Sequence, residues 1–183
     1  CCGLVGMKPT YGRVSRFGAM PLSFSLDHIG PLTRTVADCA LLTNIIAGSD
    51  PNDTTSAFHP EADFLAELES GISGLKIGVP TTYGSGTSSF LEPVHPEVLR
   101  EMEKSLAVFR SAGAEIVQIP LPESFEICND MANIIAGSES SSAHANWLKQ
   151  RAEDYGSKTR ERLLTGLLFS AVDYLAALKF RKV

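Results

Sequence analysis

The sequence predicts an α/β protein in which helices flank a sheet, and three stretches of the chain support this prediction. Leu75–Val79 and Ala114–Ile119 are short apolar runs with β-branched residues, which is typical of strands. Between them, His95–Ala112 places apolar side chains at helical spacing and charged side chains on the opposite face. A strand, a helix and a strand of these lengths indicate a right-handed parallel crossover. The third observation is a strongly apolar helical stretch from Val36 to Ala47.

A long loop punctuated by glycine and proline, including Gly12 and Pro31, leads into this apolar helix. Loops of this kind usually line a site rather than merely connect two elements. Thr35 is placed to cap the helix, and Asp38 favours its positive end. Because the helix is apolar on nearly every side, we expect it to be buried. We also expect Gly48 to end it in the left-handed conformation.

Three further helices are predicted in the rest of the chain. A short helix over Ala62–Glu69 is expected to end at Gly71. Beyond the second strand, two long helices are predicted over Glu123–Arg151 and Lys158–Arg181. A polar stretch, Ser138–Ser142, lies inside the first long helix. Polar residues at this position indicate a kink, a lined cavity or a solvated face.

Composition restricts the class of protein. The 183 residues, 44% hydrophobic and 20% charged, are enough for a real core and argue against disorder. A net charge of −5 without a basic stripe argues against direct nucleic-acid binding. No apolar run is long enough to span a bilayer, so no membrane partner is expected. The four cysteines form neither a CxxC pair nor a disulfide framework, which indicates a reduced, cytoplasmic protein.

Other chemical motifs fail on spacing or context. Gly84-Ser-Gly-Thr87 lacks the lysine and the glycine spacing of a phosphate-binding loop, so we predict a surface loop. Ser73-Gly-Leu-Lys76 fits S-x-x-K, but Lys76 falls in a predicted strand rather than one helical turn after a serine. The histidines lack metal-ligand spacing, so no metal site is predicted and each is expected in a loop or at the surface. They are His28, His59, His95 and His144.

Three segments resemble the amidase signature family of hydrolases. They are CGLVGMKPTYGRVS at residues 2–15, SLDHIGPLTRTVADCALLTNIIAG at 25–48, and DPND at 50–53. The resemblance continues at 74–80, 112–115, 134–140 and 173–175, and so covers nearly the whole chain. It implies the family's mixed sheet flanked by helices. That fold is expected here only in part, as one parallel β-α-β unit with several helices.

The resemblance also implies amide hydrolysis without a metal or cofactor. The family uses a Ser–cis-Ser–Lys triad that forms an acyl-enzyme, and all three residues precede the segment that matches Cys1. No catalytic residue is therefore expected in this chain. We expect residues 1–183 to be part of a single amidase-signature domain, truncated at both ends and inactive alone. The parent enzyme would act on a small-molecule carboxamide.

Two residues receive roles from the resemblance. Arg162 matches an arginine that holds the substrate carboxylate in the amidotransferase branch, and a guanidinium suits bidentate carboxylate binding. The alternative is a solvent-facing helix arginine. Asp27 is expected to brace the catalytic loops through backbone amides rather than to transfer protons.

Three functions stay open. The first is a stand-alone amidase, and the second is the glutamine-hydrolysing A subunit of a tRNA-dependent amidotransferase, which would bring partner subunits. That branch has tyrosines where this chain has Ala132 and Asn133, which disfavours the second. The third is an inactive scaffold or interaction fragment. A truncated sheet exposes strand edges and apolar helix faces, so we expect a homodimer or association through those edges.

Overall fold

The computed structural model describes residues 2–58, 60, 62–83 and 94–181. The expectations for Cys1, His59 and the loop at 84–87 lie outside the described residues. The helices and strands in chain order are β1 (Val5–Gly6), β2 (Leu32–Thr33), α1 (Val36–Ile46), β3 (Lys76–Tyr83), α2 (Pro96–Ser111), β4 (Glu115–Leu121), α3 (Cys128–Arg151), α4 (Ser157–Thr165) and α5 (Ala171–Phe180). Short 3₁₀ segments occur at Glu123–Ile127, Ala152–Asp154 and Gly166–Leu168.

The chain divides into two compact units. One comprises Cys1–Leu68 with Asp130–Val183, and the other comprises Glu69–Asn129. Buried apolar side chains of the first unit include Ile135, Leu163 and Ala177, while Leu106 and Ala114 are buried in the second. The assignment of all residues to a single domain stays a prediction.

The second unit contains the predicted β-α-β motif. β3 and β4 pair in parallel, with Lys76 opposite Glu115 at one end and Tyr83 opposite Leu121 at the other. α2 begins at Pro96, where the missing amide hydrogen costs nothing because first-turn amides have no helical partner. This unit confirms the predicted α/β class and its parallel strand pair. Lys76 lies in β3 as expected, so the S-x-x-K match has no helical context.

α1 confirms the predicted cap but not the predicted burial. The Thr35 hydroxyl accepts a hydrogen bond from the Asp38 amide at 3.1 Å. Only one side of the helix is buried, and several apolar residues face outward. The buried residues are Cys39, Ala40 and Thr43, and the exposed ones are Val36, Leu41, Leu42, Ile45 and Ile46. The prediction was wrong because an all-round apolar composition favours burial but cannot supply the surface that covers each side.

The end of α1 also differs from the expectation. Ala47 ends the helix in an extended conformation, and its amide donates to the Thr43 carbonyl oxygen. Gly48 has a φ of +150°. This value favours glycine but lies far from the φ of about +57° that a left-handed helical residue adopts. The chain therefore leaves the helix through an extended residue rather than a left-handed cap.

Two predicted helices are not formed as expected. Residues 62–69 make turns, in which Ala66 donates to the Asp63 carbonyl and the Asp63 carboxylate accepts from the Leu65 amide at 2.9 Å. The side-chain acceptor competes with helical bonding. The predicted helix Lys158–Arg181 is two helices, because Ser170 and Asp173 form a capping box that starts α5 anew.

No single helix in the described residues is long and apolar enough to cross a membrane. One pair, Ser157–Leu168 with Ala171–Phe180, meets the length and composition criteria together, with a 95° bend at the break.

α3 and the segment after α4 approach closely at two glycines. A Cβ atom added to Gly166 would overlap the Gly137 carbonyl oxygen. One helical turn along α3, the Ser141 hydroxyl donates to the Leu163 carbonyl oxygen, which is buried with it. Glycine is needed here because the two backbones touch, and the contact sets the position of Phe169 and α5 beside the middle of α3.

Candidate functional site

Glu139, in the middle of α3, is the centre of a buried hydrogen-bond cluster. Its side chain is among the most deeply buried in the described chain, with the residue 1% exposed. Oε2 accepts from the Ser23 hydroxyl at 2.5 Å and the Ser25 amide at 2.9 Å. Oε1 accepts from the Ser25 hydroxyl at 2.7 Å and the Tyr174 hydroxyl at 2.9 Å. One carboxylate thus joins α3, α5 and the segment around residue 24.

The cluster stabilises the ionised form of Glu139. Burial acts to raise the pKa of this carboxyl, but the hydrogen bonds from Ser23, Ser25 and Tyr174 outweigh it, so the pKa lies below its ordinary value. The same contact acts oppositely on the phenol. Burial, the hydrogen bond to Glu139 and its negative charge all raise the pKa of Tyr174. Glu139 is therefore a fixed anion whose oxygens are occupied by neutral donors.

Residues 21–27, here named the Phe24 loop, are also fixed by Asp27. The Asp27 carboxylate accepts hydrogen bonds from the Leu22 amide at 2.8 Å and the Ser23 amide at 2.9 Å. This is the type of backbone contact that the bracing role requires, although the role itself stays a prediction. The structure thus shows one carboxylate on each side of the loop, Asp27 within it and Glu139 beneath it.

The Phe24 carbonyl oxygen anchors the loop to the neighbouring segment. It accepts hydrogen bonds from the Tyr11 hydroxyl at 2.9 Å and from Nη1 of Arg16 at 2.6 Å. Arg16 also lies over the Tyr11 ring, 4.9 Å from its centre, and donates through Nη2 to the Thr55 hydroxyl at 2.6 Å. A cation on an aromatic face is well placed to hold the loop backbone.

Asp53 completes this second anchoring network. Its carboxylate accepts from the Arg16 amide at 2.8 Å and from the amide and hydroxyl of Thr55 at 2.9 and 2.6 Å. Hydrogen bonds from the Thr55 hydroxyl, then from the Arg16 and Thr55 amides, lower the pKa of Asp53 to about 2. The turn predicted from the DPND segment is therefore a built feature that orients Arg16.

His144 lies in the interior, which corrects its prediction as a loop or surface residue. It is 5% exposed on α3. Nε2 lies 3.0 Å from the Pro21 carbonyl oxygen and Nδ1 lies 2.8 Å from the Tyr155 hydroxyl. A carbonyl can only accept, so we assign the proton to Nε2. The prediction failed because His144 finds its partner 123 residues away in the chain.

Two cavities lie against the Phe24 loop. The first, the Arg16 cavity, has a volume of about 520 Å³, and the second, the Glu139 cavity, of about 460 Å³. The lining of the Arg16 cavity includes Arg16, Phe17, Phe24, Asp27, His28 and Asp53. The lining of the Glu139 cavity includes Phe24, Ser138, Glu139, Ser141, Phe169 and Tyr174. Phe24 is common to both. Of the alternatives for Ser138–Ser142, the lined cavity is the one the structure shows.

The structure places the two predicted site residues differently. Asp27 lines the Arg16 cavity, whereas Arg162 is exposed on α4, beside buried Leu163. Sequence reasoning missed Glu139 and Tyr174 as partners, and the polar stretch in α3 was the only local signal. Among the described residues, no group of three His, Cys, Asp or Glu side chains is arranged to hold a metal ion.

Comparison with known proteins identifies the class to which this fold and cluster belong. Residues 1–174 match the model of the Amidase family. The chain is a member of the amidase family, as the sequence motifs predicted.

Among curated proteins, the chain is 39% identical over 184 residues to the A subunit of glutamyl-tRNA(Gln) amidotransferase from Geobacter sp. strain M21, covering 90% of this chain and 36% of that protein. A structure of a vestigial protein complex, described as revealing the origins of an s-triazine catabolic enzyme, superposes with a TM-score of 0.82 at 31% identity, covering 99% of this chain and 37% of that one. The corresponding glutamyl-tRNA(Gln) amidotransferase polypeptide of Thermotoga maritima gives a TM-score of 0.74 at 34% identity, covering 99% of this chain and 38% of that one. The chain therefore spans less than half the length of these relatives.

Proposed function

We propose that this chain forms part of an amide hydrolase, which cleaves the C–N bond of a carboxamide to give an acid and ammonia or an amine. The observation that carries the proposal is the family match over residues 1–174. Relatives at 31% and 34% identity superpose on 98–99% of the chain, including a structure described simply as an amidase. The two cavities beside the Phe24 loop provide concave surface of the size that small ligands use.

The chemistry implied by the family is acyl transfer through serine. A serine hydroxyl attacks the amide carbonyl carbon, its proton passes through the Ser–Lys relay to the leaving nitrogen, and water then releases the acid from the acyl-enzyme. The catalytic residues are expected outside this chain, and its inactivity alone stays a prediction. Within the proposal, this chain contributes one wall of the substrate site and the network that holds that wall rigid.

A second candidate is the glutamine-hydrolysing A subunit of a tRNA-dependent amidotransferase. Its support is the 39% identity to a protein of that name. Against it stand Ala132 and Asn133, where that branch has tyrosines. In that case other subunits would be the partners, whereas a stand-alone amidase could act as a homodimer. An inactive scaffold is the alternative outside catalysis. The cysteine pattern favours action in the cytoplasm, and Cys2, Cys39 and Cys128 are all free thiols.

Ammonia release from a panel of amides tests the proposal. The protein that carries this chain should be assayed with acetamide, phenylacetamide, succinamic acid and glutamine, alone and with amidotransferase partner subunits. Turnover of any amide by the protein alone supports the stand-alone amidase. Glutamine turnover only with partner subunits supports the second candidate. Failure on every substrate in a folded protein would favour the scaffold.

Substrate-carboxylate binding by Arg162 is tested on the same panel. Arg162→Ala should raise KM for succinamic acid while leaving acetamide unchanged, because only the former offers a carboxylate to a guanidinium. Arg160→Ala, on the same helix and also positively charged, is the matched control. Equal effects on acidic and neutral amides would contradict the assignment.

A further inference from the structure

The Glu139 cavity has a wall of aromatic side chains that are each held in place. Phe169 packs against Gly137, where an added Cβ would lie 2.8 Å from the ring edge. Tyr174 is fixed through its hydroxyl on Glu139. Phe24 is fixed through its neighbours, since both Ser23 and Ser25 are bound to the same carboxylate. The backbone at Phe24 is thus firmly held while its side chain remains 57% exposed.

The charge of this cavity is one-sided. Glu139 is ionised because its hydrogen-bond donors stabilise the carboxylate, and those donors are neutral hydroxyl and amide groups. None of the described residues that line the cavity is positively charged. A ligand carboxylate would therefore meet repulsion without a compensating cation. An uncharged group with an apolar body suits the aromatic wall instead.

One polar atom on the wall is unsatisfied. Ser138 Oγ is buried and has no hydrogen-bond partner in the described part of the protein. A buried hydroxyl without a partner is unfavourable, and a hydroxyl beside a cavity can turn toward a ligand. This offers one hydrogen bond to a neutral polar atom of a ligand, such as an amide oxygen, in surroundings that are otherwise aromatic.

We propose that the Glu139 cavity binds the uncharged, apolar or aromatic substituent of the amide substrate, and that Phe24 determines how large a substituent is accepted. The inference rests on the proposed amide hydrolase function and adds a substrate class to it. Glu139 acts as a positioning residue, because it touches the loop and Tyr174 and holds Phe24 at the boundary between the two cavities.

The experiment compares phenylacetamide with acetamide in the intact protein. Phe24→Ala should lower kcat/KM for phenylacetamide at least about tenfold, since lost apolar contact in a pocket has effects of that order. It should change kcat/KM for acetamide less than about threefold, because acetamide has no group that reaches the aromatic wall. Phe17→Ala is the matched control, since Phe17 lines only the Arg16 cavity of the two and is 68% exposed.

A binding measurement separates this inference from the proposed function. Calorimetry with phenylacetamide should give saturable binding that Phe24→Ala weakens at least about tenfold and Phe17→Ala does not. Binding without turnover would sink the hydrolase proposal while supporting the cavity assignment. Turnover with equal losses on both amides, or an effect of Phe17→Ala as large as that of Phe24→Ala, would overturn the cavity assignment. Phe24→Leu, which keeps an apolar side chain, replaces Phe24→Ala if thermal unfolding shows that the alanine variant does not fold.

Discussion

The Glu139 cluster and the outer face of α1 reverse the usual relation between polarity and burial. Glu139, a carboxylate, is 1% exposed, whereas Ile45, an aliphatic residue, is 69% exposed. The carboxylate can be buried because four donors from two distant segments satisfy its oxygens. Nothing in the described residues covers the outer face of α1. Burial in this protein follows the partners that a residue finds, not its own hydrophobicity.

The largest expected effect comes from removing the centre of the cluster. Glu139→Ala leaves the buried donors of Ser23, Ser25 and Tyr174 without an acceptor, so the free energy of unfolding should fall by about 3–5 kcal/mol. Urea denaturation of the intact protein measures this. Glu153→Ala, an exposed acid beyond the same helix, should change stability by less than about 0.5 kcal/mol. Similar losses for both variants would remove the contrast on which the comparison rests.

A neighbouring pair on α4 sharpens the comparison for apolar residues. Leu163 is 2% exposed and Leu164 is 46% exposed. Leu163→Ala should lower the free energy of unfolding by about 2–4 kcal/mol, because it creates a cavity beside α3. Leu164→Ala should cost less than about 1 kcal/mol, since less surface is buried. If Leu164→Ala costs as much as Leu163→Ala, Leu164 is covered in the intact protein, and the exposed apolar faces are interfaces.

Local sequence patterns predicted the elements whose causes are local. The cap at Thr35 and the parallel β-α-β unit depend on neighbours or on short-range periodicity, and both are confirmed. The break before α5 was missed although Ser170 and Asp173 have the spacing of a capping box, because apolar periodicity on both sides masked it. The resemblance to a known family, rather than the residue pattern, predicted the protein class.

The candidate site was mostly beyond sequence reasoning. Glu139 meets Ser23 across 116 residues and His144 meets Pro21 across 123, and no local pattern encodes such contacts. The polar stretch in α3 showed that something unusual lies there, and left open whether it faces solvent or a cavity. Only the positions of both partners in space decide that question.

Acid should weaken the anchoring of the Phe24 loop in a predictable direction. The folded-state pKa of Asp53 is about 2, below the value of about 3.9 for an unfolded chain. Its contribution to stability is therefore present above about pH 4 and lost as the pH falls toward 2. The thermal midpoint of Asp53→Asn should be lower than that of the unmodified protein at pH 6, and the difference should shrink between pH 4 and 2. A difference independent of pH would contradict the role of the ionised carboxylate.

The smallest effect on stability is expected at the outer face of α1. Replacing Leu41 and Ile45 with lysine should change the free energy of unfolding by less than about 1 kcal/mol, because both side chains are largely exposed. Self-association of the 183-residue chain should decrease, since the change breaks an apolar patch. Sedimentation velocity measures it. Lysine at Ser105 and Ser111, two exposed positions on α2, controls for added charge. Equal effects of both pairs would show that net charge, not the patch, governs association.

Hydrogen exchange at the Ser25 amide tests the central claim most directly, namely that buried Glu139 fixes the Phe24 loop. This amide donates to Glu139 at 2.9 Å within a loop that would otherwise exchange quickly. We predict strong protection in the unmodified protein and a loss of at least about a hundredfold in Glu139→Gln, in which the amide group supplies one acceptor oxygen instead of two. A Ser25 amide that exchanges as fast in the unmodified protein as in Glu139→Gln would contradict the account.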